Sequence, residues 1–424
     1  MRPPEGWKRL PLHEVAEVRT GLAKGKANHK DPVELPYLRV ANVQDGHINL
    51  KEVKTILVER SQIERYSLRS GDILMTEGGD FDKLGRGDVW QGQIPVCLHQ
   101  NHVFAVRPNP GQLNSAFLAA LAASAYGRTY FLSCAKRSTN LASINSSQLK
   151  TFPILMPPLA EQKRISEIID IWEKAIASVE QLLTNSRRQR HALQSQALAG
   201  KRRLKRFSSN ATPQSTPHGP IPAEWSYPKI ELLAAAVNKK HSTGCNYPVL
   251  SCTKHSGLVE SLTYFNKQVF SKDLSTYKVV PRGCFVYATN HIEEGSIGYQ
   301  NLHDFGLVSP MYTVFSTDAT IDDGYLYRVL KTEHFRQIFA AATNSSVDRR
   351  GSLRWNDFKK LHVPLPPMEE QMRIANLFDT ADQEMGLLKK QLAFLRAEKS
   401  ALMQQLLTGK RRVRLSQPAE TEPA

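Results

Sequence analysis

Any chemistry performed by this chain has to start from a few clusters of reactive side chains. Asp80 and Asp82 stand beside Lys83 in a Gly-rich stretch, a carboxylate pair of the kind that holds a metal ion for phosphodiester hydrolysis. His291 with Glu293 and Glu294 offers a second set of possible ligands, and Cys245 with Cys252 a pair of thiols. Each falls short. Carboxylates in a Gly-rich loop are ordinarily solvated turn residues, the His291 group reads as a polar loop, and the thiols read as buried. Gly21-Leu22-Ala23-Lys24-Gly25-Lys26 is one residue short of a phosphate-binding loop, and Ala27 stands where Ser or Thr would hold magnesium. Gly85-Arg86-Gly87 has no strand before it, and Asn109-Pro110-Gly111 lacks the Pro-aromatic pair that receives a flipped base. The residues do not compose a catalytic centre.

Charge says more. Lys plus Arg number 56 against 40 Asp plus Glu, a net +16, and the pI is near 9.6. Such an excess points to an acidic partner, most often nucleic acid. It runs +6 over residues 1–157, +6 over 158–206, +3 over 207–362 and +1 over 363–424, so it belongs to the body of the chain and not to a tail. At 41% hydrophobic and 23% charged residues the composition is globular. No apolar run approaches the ~18 residues of a membrane span. Five cysteines without a CxxC pair suit neither a disulfide framework nor a zinc site. The expectation is a soluble cytoplasmic protein.

The elements that position these residues come in two copies. Pro157-Pro158-Leu159-Ala160-Glu161-Gln162-Lys163-Arg164-Ile165 returns 209 residues later as Pro366-Pro367-Met368-Glu369-Glu370-Gln371-Met372-Arg373-Ile374. Gly200-Lys201-Arg202-Arg203 returns at the same offset as Gly409-Lys410-Arg411-Arg412. After each Pro-Pro, apolar residues step by four and three. They are Ile165, Ile169, Trp172, Ile176, Val179 and Leu183, then Leu193 and Ala197. In the second copy they are Ile374, Phe378, Ala381, Met385, Leu388, Leu392 and Leu395, then Leu402 and Leu406. That is the seam of a coiled coil, started by Pro-Pro and closed by glycine. About 39 residues make a rod of roughly 58 Å. Trp172 and Phe378 read as packing between the helices. Ser186 and Arg190 make the first seam polar midway, so that end is expected to splay or to face another protein. The basic clusters Arg187-Arg188, Lys201–Arg203 and Lys410–Arg412 read as complements to the helix C-terminal dipole.

Outside the helices the pattern is mixed. Strands are expected around residues 37–40, 72–75 and 102–106, with counterparts at 248–251, 284–287 and 311–315. A helix is expected near 116–132 and again near 325–342. Pro222-Ala223-Glu224-Trp225 echoes Pro4-Glu5-Gly6-Trp7. The resulting layout is a first globular domain at 1–155, a helix at 156–203, a flexible linker at 204–221, a second domain at 222–363, a helix at 364–412 and a disordered tail at 413–424. The fold class is α+β, with two similar domains each followed by a long helix, the helices pairing as an antiparallel coiled coil.

Two domains, each followed by a Pro-Pro-x-x-Glu-Gln-x-Arg-Ile helix that ends in Leu198-Ala199-Gly200-Lys201 or Leu407-Thr408-Gly409-Lys410, resemble the specificity subunit of type I restriction–modification systems. Gly71-Asp72-Ile73-Leu74 and the run from Thr76 to Gly87 add to the resemblance. The second domain departs from it with Gly283-Cys284-Phe285-Val286. The resemblance implies two target-recognition domains, each reading one half of a split, asymmetric site in double-stranded DNA. It implies helices that set the spacing and dock two methyltransferase subunits, beside restriction or motor subunits. This chain would then be non-catalytic and bind no cofactor, with S-adenosylmethionine, ATP and Mg on the partners.

Phosphate contacts need Lys and Arg on loops, and base contacts favour Arg, Lys, Asn and Gln. The DNA-binding candidates of the first domain are Lys83, Arg86, Lys136, Arg137 and Asn140, with Ser138. Those of the second are Asn344, Arg349, Arg350 and Arg354, with Ser345 and Ser346. Gln162, Arg164, Gln371 and Arg373 are read either as partner-binding residues or as local caps of the helix start.

Overall fold

The computed structural model describes residues 3–23, 30–79, 84–137, 142–208, 211–241, 246–343 and 351–415. The chain forms two compact units. One holds the residues up to Glu180 together with those from Lys390 onward, and the other holds Gln181–Lys389. The two cuts, after Glu180 and after Lys389, lie 209 residues apart and fall inside the long helices. Each unit therefore owns one domain, the first part of one helix and the last part of the other.

In the first unit, Lys8–Pro11 (β1) is followed by Ala16–Thr20 (β2), Pro32–Leu38 (β3), Lys54–Glu59 (β4), Ile73–Thr76 (β5), Gly87–Val89 (β6), Leu98–His99 (β7) and Val103–Pro108 (β8). The central sheet is antiparallel in the order β2-β8-β5-β6. Phe104 and Val106 of β8 face one core with Phe117, Phe131 and Phe152, while Val103 and Ala105 face a smaller one with Trp90. That two-sided burial explains an unbroken apolar run where a half-exposed strand would alternate. A second sheet, β7-β3-β4, flanks it.

The expected single helix at 116–132 is two, Ser115–Ala123 (α1) and Ala125–Cys134 (α2). Ser124 ends the first by donating to Leu121 O and starts the second by accepting from Gly127 N. Pro153–Met156 (β9) then pairs with β1 and leads into Leu159–Ala197 (α3).

The second unit repeats the plan. Ala234–Ala236 (β10), Leu250–Thr253 (β11), Gly257–Glu260 (β12), Lys278–Pro281 (β13), Phe285–Ala288 (β14), Ile297–Tyr299 (β15), Phe305–Val308 (β16) and Tyr312–Thr317 (β17) precede Asp323–Leu330 (α4) and Glu333–Ala342 (α5). Its central sheet runs β10-β17-β14-β15, and Thr332 breaks its helix as Ser124 does. The short helix Trp355–Phe358 (α6) leads to the long Met368–Leu406 (α7). Where Lys8 pairs with Met156 and Pro11 with Pro153, Ser226 bridges Leu365 and Lys229 bridges His362. The register is the same in both copies.

Within each unit the two helix segments run antiparallel. Lys399 Nζ reaches Glu173 at 2.8 Å and Arg396 reaches Glu180 at 2.6 Å, so rising numbers on one helix meet falling numbers on the other. Ile165, Ile169, Val179 and Leu183 are buried, as are Ile374 and Phe378. Each contributes up to about 1.5–3 kcal/mol. The polar seam position does not splay. Arg190 forks onto the Asp382 carboxylate at 2.5 and 3.2 Å and lies over the Phe378 ring. Phe378 is buried in the core of the second unit, and Trp172 is half-buried.

A second ion pair locks each domain to a helix end. Arg412 donates from two nitrogens, both at 2.7 Å, to buried Glu161, which also accepts from the Trp7 indole. Arg203, Glu370 and Trp225 repeat this at 2.7–3.0 Å. The clusters Lys201–Arg203 and Lys410–Arg412 are thus not merely dipole complements, because one Arg of each is held by a carboxylate beyond its own helix. Gly200 and Gly409 carry the left-handed φ that turns the chain there.

The segment read as a flexible linker is folded where it is described. Gln214 and Ile221 exchange both backbone hydrogen bonds, at 2.9 and 3.0 Å, and Ile221 is buried. Of the expected tail, Val413 packs against the first core, and residues 416–424 lie outside the described residues.

Candidate nucleic-acid interface

The loops at one end of each central sheet carry the candidate site. In the first unit β5 leaves the sheet at Glu77 and continues as the short strand Gly78–Gly79. That strand pairs with Ala142–Ser143, which pairs in turn with Lys136–Arg137. A Cβ at Gly78 would lie 3.1 Å from Ala142 O, so glycine permits the approach. Ile144 N donates to Glu77 O at 2.8 Å and fixes the join. At the far root of the Gly-rich loop, a Cβ on Gly85 would lie 2.6 Å from the Phe131 ring. The two stretches expected from sequence therefore converge on one small sheet.

Lys136 is exposed, and Arg86 is half-buried with its Nε lacking a hydrogen-bond partner among the described residues. Asp80, Asp82, Lys83, Ser138 and Asn140 lie outside the described residues, and so does Cys245.

The second unit builds the same end differently. Leu353 N donates to Thr289 O at 2.9 Å, the counterpart of the Ile144–Glu77 bond. The stretch from Thr289 to Gly295 thus takes the place of the Gly-rich loop, with Ile292 as its buried root. Its back is held by two cations. Lys331 Nζ donates to Gly295 O at 2.8 Å, and Arg336 Nε donates to Glu293 O at 3.3 Å. Burial holds the Lys331 ammonium below its usual pKa. Arg354 is exposed at the start of α6. Asn344, Ser345, Ser346, Arg349 and Arg350 lie outside the described residues.

His291 reads from sequence as part of a polar loop, and the fold brings that loop to the matching position. One signal of this is legible in the chain. Gly71 and Gly283 both turn with positive φ just before the central strand, and aligning them sets residues 289–295 over the Gly-rich loop. His291, Glu293 and Glu294 can bring one ligand atom each within 4.8 Å of one another. His291 and Glu294 are exposed and form a weak pair at 3.3 Å. Burial pushes the Cys97 and Cys252 thiols up to about 12, so neither is a thiolate at neutral pH.

Gln162 and Gln371 are not available to a partner. Gln162 Oε1 accepts from Asn114 N at 2.8 Å, and its Nε2 donates to Gln112 O and Pro157 O, both at 2.9 Å. Gln371 repeats this on Asp322 N, Pro366 O and Thr320 O. Both are fully enclosed. Each latches the start of a long helix to the N-cap of the domain helix, Asn114 or Asp322. Arg164 and Arg373 are exposed and, among the described residues, paired only within their own helix, to Glu167 and Glu369.

Among the described residues no helix is long and apolar enough to cross a membrane. A putative type I restriction enzyme MjaX specificity subunit of Methanocaldococcus jannaschii is 24% identical, over 97% of this chain and 95% of its own length. The EcoKI specificity subunit of Escherichia coli is 23% identical over 42% of this chain and 39% of its own. Among solved structures, the HsdS subunit from Thermoanaerobacter tengcongensis shares the fold at TM-score 0.53 and 17% identity, covering 97% of this chain and 99% of that one. The S subunit from M. genitalium does so at 0.53 and 12%, covering 96% and 99%. The family model for the type I restriction modification DNA specificity domain matches twice, at residues 4–185 and 235–396. With two such domains and the helices that follow them, the chain belongs to the specificity subunits of type I restriction–modification systems.

Proposed function

We propose that each domain reads one half of a split, asymmetric site in duplex DNA. The loops around Gly78–Arg86 and 136–143 serve the first half, and those around 289–295 and 344–354 serve the second. The two long helices set the distance between half-sites. They also dock two methyltransferase subunits, with Arg164 and Arg373 at equivalent exposed positions as candidate contacts. Methylation and cleavage belong to partner subunits, which would hold S-adenosylmethionine, ATP and Mg; this chain supplies sequence choice. Half-sites one turn apart need readers roughly 34–36 Å from each other, well within a rod of roughly 58 Å.

One observation carries the reading. The two domains share a backbone hydrogen bond at the loop roots, Ile144 to Glu77 and Leu353 to Thr289, yet the sequences they carry there are unlike. A duplicated frame with two different surfaces suits two different half-sequences. The test is a methylation map of the host genome with the gene intact and deleted. Loss of methyl-adenine at a single split motif with a fixed spacer is expected. A motif that persists after deletion would refute the reading.

A further inference from the structure

The helix pair departs from its own duplication at one place. Lys399–Glu173 of the first unit corresponds, by the offset of 209, to Arg190–Asp382 of the second, and both pairs are formed. The neighbouring pair, Arg396–Glu180 at 2.6 Å, corresponds by the same offset to Arg187 and Lys389. Two cations stand where the sister copy has an ion pair. Both are exposed, and neither has an ionic partner among the described residues. Like charges at such positions work against the helix pair unless an anion lies on them.

The cationic face continues. His191 lies one helical turn beyond Arg187 and lines a cleft of about 580 Å³ with Lys201, His218 and His334. These four side chains are exposed and make no ion pair among the described residues. Glu333 also lines the cleft, but Arg336 occupies it at 2.6 Å. The His218 and His334 rings meet at 6.0 Å. Burial, with the crowding of positive groups there, holds His334 below its usual pKa. In the first unit the positions of His191 and His334 fall to Ser400 and Tyr126, so the track belongs to the second copy alone.

We propose that Arg187, Lys389, His191, Lys201, His218 and His334 form a track for the phosphates of duplex DNA lying outside the two half-sites. The inference rests on the DNA-reading function proposed above. A phosphate backbone suits the track better than a protein partner does. Protein interfaces centre on apolar anchors, and the large exposed apolar residues nearest in sequence to Arg187 and Lys389, Leu182 and Leu387, project from other faces. Leu182 is five residues from Arg187 and Leu387 two from Lys389, roughly 140–200° around the helix. Basic side chains spaced along a helix pair, away from the loops proposed to read the half-sites, give affinity and not sequence choice.

The test measures the salt dependence of the full complex binding a duplex that carries its motif. The Arg187→Gln/Lys389→Gln double variant should lower the slope of log K against log salt by about two, one for each phosphate no longer neutralised. Lys201→Gln/His218→Gln should lower it further, with the preferred half-sequences kept. Arg187→Glu guards against a folding artefact. It sets a carboxylate against Lys389, an ion pair of reversed polarity at the sister copy's place, so its melting temperature should hold or rise while DNA affinity falls below that of Arg187→Gln. An unchanged slope in these variants overturns the track. Unchanged slopes with weakened assembly of the complex would also overturn it, in favour of an acidic protein surface. If the unaltered complex itself fails to prefer any motif, the DNA-reading function is what has failed.

Discussion

A buried carboxylate sits at the foot of each long helix. Glu161 and Glu370 are almost without solvent contact, and each is neutralised by one forked Arg and accepts a hydrogen bond from one Trp indole. The two sites are chemically alike but not equally enclosed: Arg203 keeps 10% of its side-chain exposure and Arg412 keeps 45%. Arg203→Ala should cost about 3–5 kcal/mol, the penalty for stranding a buried charge. Arg412→Ala should cost distinctly less, since removing a half-exposed side chain opens its carboxylate to water. Urea unfolding of the two variants checks the order, and equal or reversed costs would contradict it. Neither pair can be read from sequence, where both arginines sit in basic clusters that also suit a helix C-terminus. The glutamines are equally ambiguous there, since Gln-x-Arg at a helix start fits a partner contact as well as a latch. Only the path of the chain, which carries the Asn114 and Asp322 amides to them, decides it.

The elements are more legible than the contacts between them. The seams, the Pro-Pro starts and the glycine ends predict both helices, because each signal is local and the two copies check one another. What escapes is whatever depends on a single polar residue meeting its partner. Ser124 and Thr332 break a helix that hydropathy makes continuous. Arg190 closes a seam that its charge suggests would open. Gln214 and Ile221 fold a stretch whose Ser, Thr and Pro content reads as free chain. The antiparallel pairing also sets how the spacer can be changed. Inserting four residues after Glu180 alone would shift the partners in one unit and destabilise it. Matched insertions after Glu180 and Lys389 add one turn, about 6 Å, to both helices and preserve the ion pairs on either side, Lys399–Glu173, Arg396–Glu180 and Arg190–Asp382. A methylation map of the matched variant should show a longer unspecified spacer between unchanged half-sequences. A changed half-sequence would contradict the role of the helices as a ruler.

At the scale of the whole molecule, the duplicated plan carries two different sequences. Each unit closes its own core around its own helix ends, with Leu406 and Leu407 in the first and Leu198 in the second. Among the described residues each of these cores is built within its own unit, so, on the DNA-reading function proposed above, one set of loops should be free to change without disturbing the other. That independence predicts the result of a graft. Replacing residues 1–150 with the equivalent domain of another specificity subunit should change one half of the methylated motif and leave the other half as it was. The graft must bring its own counterparts of Trp7 and Asn114, because Glu161 and Gln162 in the retained helix are satisfied by them. A graft lacking the Trp should fold poorly whatever its loops, whereas a complete one should assemble normally and shift a single half-site. If a complete graft altered both halves, the cores would be coupled after all, and two independent readers on one frame would be the wrong description of this chain.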